Sequence, residues 1–162
     1  MGVDFIGEND GWAVGENGTI MRYDGSWHAD SSPTTLDLWS VACAGTSDVW
    51  AVGAAGKILH YSGGNWTSTA SPTTEDLLGV CFLSADDGWA VGKGGATLHC
   101  DGATWTELKI ASGDTLCGAA FLSPYEGWAV GYDGSYRGVV YHYLDTHNVE
   151  PASFGSVKAL YH

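Results

Sequence analysis

Hydrophobic and polar residues alternate along this chain in short runs that recur in a fixed order. Each run has about four to six residues, alternates in polarity or is rich in β-branched and aromatic residues, and is bounded by glycine, aspartate or asparagine. Such runs predict β-strands, because successive side chains of a strand point to opposite faces of the sheet. No periodicity of about 3.6 residues persists long enough to predict a helix. We therefore expect an all-β chain.

The recurrence is marked most clearly by the tetrapeptide Trp-Ala-Val-Gly. Its four copies begin at Trp12, Trp50, Trp89 and Trp128, about 39 residues apart. A glycine-containing turn and a short alternating run follow each copy, for example at residues 57–61. A tight turn then leads to a second tryptophan in three of the copies, at Trp27, Trp66 and Trp105. The sequence is thus built from four similar units.

Four predicted strands in a unit of about 40 residues are typical of a propeller blade. A lone four-stranded sheet buries its faces poorly and gains stability when neighbouring sheets cover both of them. We label the strands A to D, with A before Trp-Ala-Val-Gly, B containing it, C after it and D opening at the second tryptophan. We predict a single β-propeller domain over residues 1–162, with four-stranded antiparallel blades at about residues 2–37, 38–75, 76–114 and 115–154.

Residues 155–162 predict one strand more than four blades require, and we interpret it as a further A strand. Three explanations fit: the chain belongs to a longer propeller, the strand completes a blade in another subunit, or a four-bladed ring tolerates an extra strand. Propellers usually contain about four to eight blades, so two chains could also pair into an eight-bladed ring. We expect a homo-oligomer or a fragment of a longer propeller.

The repeated tryptophans are explained by folding. Along strand B, tryptophan and valine point to one face of the sheet, while alanine and the second glycine point to the other. Large residues on one face and small residues on the other suit stacked sheets, and each buried tryptophan removes on the order of 150 to 250 Å² from water. We therefore predict that Trp12, Trp50, Trp89 and Trp128 anchor the contacts between blades.

The order of these motifs resembles the repeats of photosystem II assembly and stability factor-like propellers, and of Trp-Ala-Val-Gly-repeat propellers in secreted bacterial proteins. The hairpins at residues 24–27 and 101–105 are similar to the Asp-box turn of sialidase-type propellers. The resemblance implies a propeller fold. It does not carry over function, because a sialidase site needs an arginine cluster, and the photosystem factors are expected to present an arginine-rich patch. The only arginines of this chain are Arg22 and Arg137.

Composition limits the partners. Six lysines and arginines against 19 aspartates and glutamates give a net charge of −13, which disfavours nucleic acids and anionic membrane surfaces. No stretch approaches the roughly 20 apolar residues of a membrane span, and no signal peptide is visible. Abundant glycine, serine, threonine and tryptophan favour an extracellular over a cytoplasmic location. The four cysteines have no metal-binding spacing, so we expect free buried thiols, no metal and no cofactor.

Candidate binding residues lie in loops that the fold does not constrain. The segment after each Trp-Ala-Val-Gly varies most between units and is longest at residues 132–137, and loops on a rigid scaffold are the usual place for a ligand. In a blade, these loops share a rim with the D to A loops, such as residues 32–35 and 71–74. We predict a ligand-binding patch of Trp39, Tyr132, Asp133, Tyr136 and Arg137.

Three functions remain open. The first is a noncatalytic binding module with a glycan as its candidate ligand, and the second is a structural or assembly propeller acting through protein contacts or self-association. The expected partner is therefore a protein or a glycan. The third, a glycosidase-like enzyme, rests on the Asp-box likeness alone. It would need two carboxyls at a defined separation, whereas the neighbouring acids Asp86 and Asp87, or Glu75 and Asp76, point apart on a strand. We therefore expect no catalytic residues and no enzyme activity.

Overall fold

A computed structural model of the chain describes residues 1–108, 110 and 113–144, together with the backbone of residues 153–157. This part of the chain consists of β-strands joined by turns, and single turns of 3-10 helix lie at Glu16–Gly18, Ala54–Gly56 and Lys93–Gly95. The strands are Gly2–Gly7 (β1), Asp10–Val14 (β2), Ile20–Tyr23 (β3), Trp27–Ala29 (β4), Leu38–Gly45 (β5), Asp48–Gly53 (β6), Ile58–Ser62 (β7), Asn65–Thr69 (β8), Leu77–Ser84 (β9), Asp87–Gly92 (β10), Thr97–Cys100 (β11), Trp105–Glu107 (β12), Thr115–Ser123 (β13), Glu126–Tyr132 (β14), Gly138–Leu144 (β15) and Ser153–Val157 (β16). In the described residues, no helix is long and apolar enough to cross a membrane.

The strands form four antiparallel sheets of four strands each, and each sheet uses consecutive strands in chain order. Blade 1 contains β1 to β4, blade 2 contains β5 to β8, blade 3 contains β9 to β12 and blade 4 contains β13 to β16. The innermost strands of consecutive blades contact one another. The predicted all-β propeller architecture of four-stranded blades is confirmed.

The structure corrects the prediction of a surplus strand. Strand β16 pairs with β15, with Val157 opposite Val140 and Ser153 opposite Leu144, so it is the D strand of blade 4. Residues 155–157 therefore belong to the fourth blade, while residues 158–162 lie outside the described residues. The physical reason is that the fourth unit lacks the hairpin with the second tryptophan. Strand β15 was therefore left with an unpaired edge, which the next extended segment fills.

Consecutive blades meet through unlike faces. The tryptophan face of a blade carries the tryptophan and valine of strand B, and the receiving face carries the alanine of strand B with neighbouring apolar residues. Between blades 1 and 2, one buried cluster contains Trp12, Val14 and Ile20 from the tryptophan face, and Val41, Val49, Ala51, Leu59, Tyr61 and Trp66 from the receiving face. The same arrangement recurs between blades 2 and 3 and between blades 3 and 4.

Each interior tryptophan lies against aromatic rings of the following blade. The ring centre of Trp12 lies 4.5 Å from that of Tyr61 and 5.2 Å from that of Trp66. The corresponding partners are Phe82 (5.5 Å) and Trp105 (5.6 Å) for Trp50, and Phe121 (4.1 Å) and Tyr143 (4.8 Å) for Trp89. The predicted anchoring role is confirmed for these three tryptophans. The fourth, Trp128, is only partly buried.

Two aspartates add a polar link between blades. Asp37, at the start of blade 2, accepts the backbone N–H of Asn17 in blade 1 on its Oδ1 atom at 2.8 Å. Asp76, at the start of blade 3, accepts the N–H of Ala55 in blade 2 in the same way at 2.9 Å. Its other oxygen, Oδ2, lies 2.7 Å from Nζ of Lys93. The carboxylates therefore bind the turn of one blade to the first strand of the next.

The carboxyl of Asp76 makes this link dependent on pH. The hydrogen bond from Lys93, followed by the one from the backbone of Ala55, holds the pKa of Asp76 below its ordinary value of 3.8. A lowered native pKa stabilises the fold above the unfolded pKa, and this contribution is lost as the pH falls through the native value. We predict that Asp76→Asn, which keeps an acceptor for Ala55, is less stable than wild type at pH 7, and that the difference shrinks below about pH 4.

Urea denaturation followed by tryptophan fluorescence at a series of pH values measures this difference. Glu107→Gln, which removes an exposed carboxylate from β12, controls for the loss of one negative charge. A difference between wild type and Asp76→Asn that stays constant from pH 7 to pH 3 would contradict the prediction.

The four cysteines are free and differ in exposure. Cys100 is buried, Cys43 and Cys81 are partly buried, and Cys117 is exposed, so the expectation of buried thiols fails for Cys117. Burial, with a smaller effect of the Asp4 charge, raises the pKa of Cys43 to about 12. Burial, followed by the charge of Asp87, raises the pKa of Cys81 to about 11. These thiols stay protonated near neutral pH and are therefore poor nucleophiles.

We predict that a thiol-specific disulfide reagent modifies the native protein first at Cys117, because this thiol is exposed, whereas Cys100 is buried and the pKa values of Cys43 and Cys81 are raised. Absorbance at pH 7.5 should show one fast thiol, and the remaining thiols should react on unfolding. Cys117→Ser should remove the fast phase, whereas the matched change Cys100→Ser should keep it. Rapid labelling of Cys43 in the folded protein would show the prediction to be wrong.

Candidate binding rim

One rim of the propeller is formed by the turns between strands B and C. The first three turns span Glu16–Gly18, Ala54–Gly56 and Lys93–Gly95. In the first, Asn17 and Gly18 both have left-handed backbone conformations, with φ of 53° and 70°. A Cβ atom at Gly18 would lie 2.0 Å from the carbonyl oxygen of Thr34, so glycine is required there. The close approach places the turn against the D to A loop, as the blade topology predicts.

The fourth turn, residues 132–137, is longer and is organised by its own aspartate. Oδ1 of Asp133 accepts the backbone N–H groups of Ser135 at 2.8 Å and Arg137 at 3.0 Å. The N–H of Tyr136 donates to the carbonyl oxygen of Asp133 at 2.9 Å. In blades 1 and 2 the turn is held by an aspartate of the following blade, whereas here Asp133 holds the turn from within. Asp133 thus shapes this loop, which we call the tyrosine loop.

Two tyrosines form the exposed surface of the tyrosine loop. The rings of Tyr132 and Tyr136 are stacked, with centres 5.5 Å apart and planes 19° apart. Tyr136 is 84% exposed and has a φ of 59°, a conformation that non-glycine residues rarely adopt. An aromatic side chain displayed in a left-handed conformation, on a loop closed by hydrogen bonds to Asp133, is a feature of binding surfaces more than of cores.

A charged pair from the neighbouring blade lies beside the loop. Nζ of Lys93, in the third turn, lies 2.7 Å from Oδ2 of Asp76. The pKa of Lys93 is raised, first by this hydrogen bond and the charge of Asp76, and to a smaller extent by Tyr132 and Glu75. Strand β13 links the two turns, because Thr115 pairs with Tyr132 and the carbonyl oxygen of Asp114 accepts the backbone N–H of Gly95 in the third turn at 2.7 Å. The tyrosine loop and the third turn therefore lie side by side on one rim. This surface combines aromatic faces with both signs of charge.

The predicted patch is only partly assembled. Tyr132, Asp133, Tyr136 and Arg137 lie together in the tyrosine loop. Trp39 lies on β5 in blade 2, where its backbone oxygen would be 3.1 Å from a Cβ at Gly2 of blade 1. The tyrosine loop lies two blades further along the chain, in blade 4. Trp39 therefore belongs to the boundary between blades 1 and 2.

The D to A loops contribute fewer free hydroxyls than their sequence suggests. Oγ of Ser32 donates to the carbonyl oxygen of Thr34 at 3.1 Å, and Ser71 and Thr73 repeat this bond at 3.1 Å. Oγ1 of Thr34 accepts the N–H of Leu36 at 3.1 Å. These side chains close their own loops, which explains the recurrence of Ser-Pro-Thr-Thr without reference to a ligand.

Sequence reasoning missed Lys93 and Asp76 as members of the rim surface. A signal was present, because Asp37-Leu38 recurs as Asp76-Leu77 at the start of the next blade, and Lys93 occupies the variable position after the third Trp-Ala-Val-Gly. An aspartate repeated immediately before a strand indicates a hydrogen-bond partner that recurs from one blade to the next. The identity of that partner, an amide of the preceding blade, depends on the stacking of the sheets.

The strand C histidines are held separately in their own blades. Each imidazole Nε2 lies near a carboxylate of the same blade: His60 near Asp48 (2.7 Å), His99 near Asp87 (3.1 Å) and His142 near Glu126 (3.3 Å). Each ring also contacts the tryptophan of its strand B: His60 and His142 stack on Trp50 and Trp128, and His99 is tilted against Trp89. Among the described residues, no three histidine, cysteine or acidic side chains are grouped to hold a metal ion.

One aspartate in each of the two acidic pairs considered for a glycosidase has structural contacts. Oδ1 of Asp87 accepts the indole N–H of Trp89 at 3.1 Å and lies 3.1 Å from His99. Asp76 is engaged by Lys93 and Ala55, as described above. These carboxylates support the blades in which they lie.

No protein-family model and no curated protein matches the sequence. Solved structures do match. A structure of YCF48 from Cyanidioschyzon merolae has a TM-score of 0.70 and 18% identity, over 92% of this chain and 51% of the other. A structure of YCF48 bound to D1 peptide has a TM-score of 0.66 and 20% identity, over 97% and 54%.

PorZ of Porphyromonas gingivalis, an essential surface component of the type-IX secretion system, has a TM-score of 0.71 and 14% identity, over 95% of this chain and 27% of the other. The chain thus spans about half the length of the YCF48 chains that it matches. At these identities the likeness is one of fold, and it identifies the four stacked sheets as an arc of β-propeller blades.

Proposed function

We propose that this chain is a noncatalytic propeller module that binds a protein ligand through the tyrosine loop and the adjoining Lys93. The observation that carries the proposal is the stacked pair of Tyr132 and Tyr136, which displays a highly exposed aromatic ring on a loop braced from within. Tyrosine supplies a large contact area at a small cost in side-chain entropy and is enriched in protein interfaces. A rigid scaffold that presents such a loop is suited to recognition.

The charge of the chain indicates the kind of protein segment that would bind. A net charge of −13 attracts cationic segments over a distance set by the ionic strength. At the rim, the exposed face of Tyr136 offers a cation–π site for an arginine or lysine of the ligand. The exposed carboxylate of Glu75, next to the third turn, offers an ion-pair partner. We therefore propose an extended peptide segment that carries basic residues.

The comparison with YCF48 supports a peptide ligand by analogy. That protein has been solved bound to D1 peptide, and its structure superposes on nearly the whole of this chain. A propeller of this architecture can therefore hold a peptide. The ligand of this chain is inferred from its own rim.

A glycan is the second candidate ligand. The apolar face of a sugar ring packs well against an exposed aromatic ring whose polar edge remains in water, and the tyrosine loop offers this surface. The neighbouring Arg137, Lys93 and Asp76 would supply hydrogen bonds to hydroxyl groups. The two candidates differ in their response to salt, because binding of a basic peptide weakens as ionic strength rises.

We predict that Tyr136→Ala lowers the affinity for peptides selected from a displayed random library by at least tenfold, because it removes the exposed half of the aromatic pair. A tenfold loss corresponds to about 1.4 kcal/mol of binding free energy. Fluorescence anisotropy with the selected peptides measures it. The matched control is Tyr125→Ala, which removes another exposed tyrosine, in the turn between strands A and B of the same blade.

The selected peptides should be enriched in lysine and arginine, and their binding should weaken with added salt. Equal affinities of wild type and Tyr136→Ala would exclude the tyrosine loop as the site. Failure to select any peptide, together with Tyr136-dependent binding on a glycan array, would overturn the protein ligand in favour of the glycan.

A further inference from the structure

The two ends of the arc expose faces that are buried everywhere else in it. In the described part of the chain, no blade packs on the receiving face of blade 1, which is open, with Val3, Phe5, Ala13, Met21, Tyr23 and Trp27. Blade 4 has no described blade after it, so its tryptophan face is open, with Leu122, Trp128, Val130, Val140 and Leu144. Each end face is one half of the interface that joins consecutive blades inside the arc.

Burial at equivalent positions shows what the receiving face of blade 1 lacks. Val3 pairs with Ala13 as Val41 pairs with Ala51 in blade 2, so the two valines are equivalent. Val3 is 61% exposed, whereas Val41 is 5% exposed beneath blade 1. Likewise Trp27 is exposed, while its equivalent Trp66 is buried. The receiving face of blade 1 therefore has the residues of an interface between blades, but no described blade covers it.

The tryptophan face of blade 4 shows the same deficit. Val130 is 47% exposed, whereas Val14, at the equivalent position of blade 1, is 4% exposed. Leu122 and Leu144 extend this apolar surface and are also exposed. His142 stacks on Trp128, with ring centres 4.7 Å apart, in the same way as His60 stacks on Trp50 in the interior of the arc. Contiguous apolar surface of this kind marks an interaction site.

The two end faces carry the same kinds of residues that meet at the interfaces inside the arc. In the interior, each strand B tryptophan meets aromatic rings of the following blade. Blade 1 offers such a cluster, in which the ring of Phe5 lies 5.5 Å from Tyr23 and 5.8 Å from Trp27. Tyr23 and Trp27 correspond by strand pairing to Tyr61 and Trp66, the two partners of Trp12. The cluster of Phe5, Tyr23 and Trp27 therefore offers Trp128 the same aromatic contacts that the interior tryptophans make.

A cleft on blade 1 provides the position for Val130. It has a volume of about 300 Å³, and Met1, Ala13, Gly15, Thr19 and Met21 are among its lining residues. The equivalent residues of blade 4 by strand pairing include Leu116, Ala129, Val139 and Tyr141. Those four form the cluster that buries Val91, the blade 3 equivalent of Val130. The cleft thus has the lining that a strand B valine requires.

We propose that the tryptophan face of blade 4 docks on the receiving face of blade 1 of a second copy of this chain. Trp128 of one copy packs on Phe5, Tyr23 and Trp27 of the other, and Val130 fills the cleft. Both faces belong to one chain, so two copies make the contact twice. Two arcs of four blades together contain eight blades, and a closed ring of eight lies within the usual size of propellers.

The test is the mass of the chain in solution, measured by light scattering after size-exclusion chromatography. Wild type should be a pair with twice the mass of the 17.0 kDa chain. Val130→Glu and Val3→Lys, each at an exposed position, should each remove the closed pair by placing a charge in the contact. Leu36→Glu, an exposed leucine in the loop before blade 2, should leave the pair intact and controls for added charge. Near-ultraviolet circular dichroism should show wild-type folding for all variants.

The double variant Val130→Glu with Val3→Lys places opposite charges at the docking contact and should restore the pair at low ionic strength. A wild-type chain that remains a monomer at about 1 mM would overturn the proposal and assign the end faces to further blades of a longer polypeptide. A ladder of larger oligomers would overturn the closed ring, because unlike faces that do not close form open filaments. A pair that survives both single changes would exclude these faces. Binding at the tyrosine loop can fail without affecting any of these results.

Discussion

The packing of the tryptophan and valine of strand B on the next blade is the contact on which the rest of the structure depends. The tryptophan meets aromatic rings there, and the strand B alanines of the receiving faces, Ala51, Ala90 and Ala129, are all fully buried in the same interfaces. The sizes of side chains at paired positions within a sheet are matched as well. A Cβ at Gly88 would lie 2.2 Å from the ring of Phe82, whereas blade 2 has a valine and a cysteine at these paired positions. Stacking therefore constrains each blade through its neighbour, as expected for a repeat architecture.

This dependence explains why so much of the fold was predictable from sequence. The alternation of side chains along a strand can be read from a short stretch of sequence. The repeated tetrapeptide therefore predicted the four sheets and their order, and it predicted the anchoring role of Trp12, Trp50 and Trp89. The placement of β16 did not follow, because its partner is chosen by the unpaired edge of β15, and edge availability is a property of the assembled sheet. The exposure of Trp128 could not be predicted from its motif, because this motif is the same in all four blades. Trp128 differs only in its position at the end of the arc.

The candidate site was likewise predictable from the sequence only in part. The tyrosine loop was predictable because its length departs from a repeat that is otherwise regular, and Tyr132, Asp133, Tyr136 and Arg137 are consequently together. Trp39 was added because the repeat does not require tryptophan there, but a position free of repeat constraint can lie anywhere on the blade. The link from Asp76 to Ala55 crosses between blades, so it could be recognised only once the stacking was known.

Strand β14 connects the rim to the end of the arc. It carries Trp128 and Val130 on the open face of blade 4 and ends at Tyr132, the first residue of the tyrosine loop. A blade that covers this face would border the loop, because in the interior each B to C turn lies against the segment that begins the next blade, as Asn17 does against Asp37. Completion of the ring and recognition at the rim therefore act on adjacent surfaces of the same strand. A ligand that contacts both blades at this boundary would stabilise the assembly by mass action.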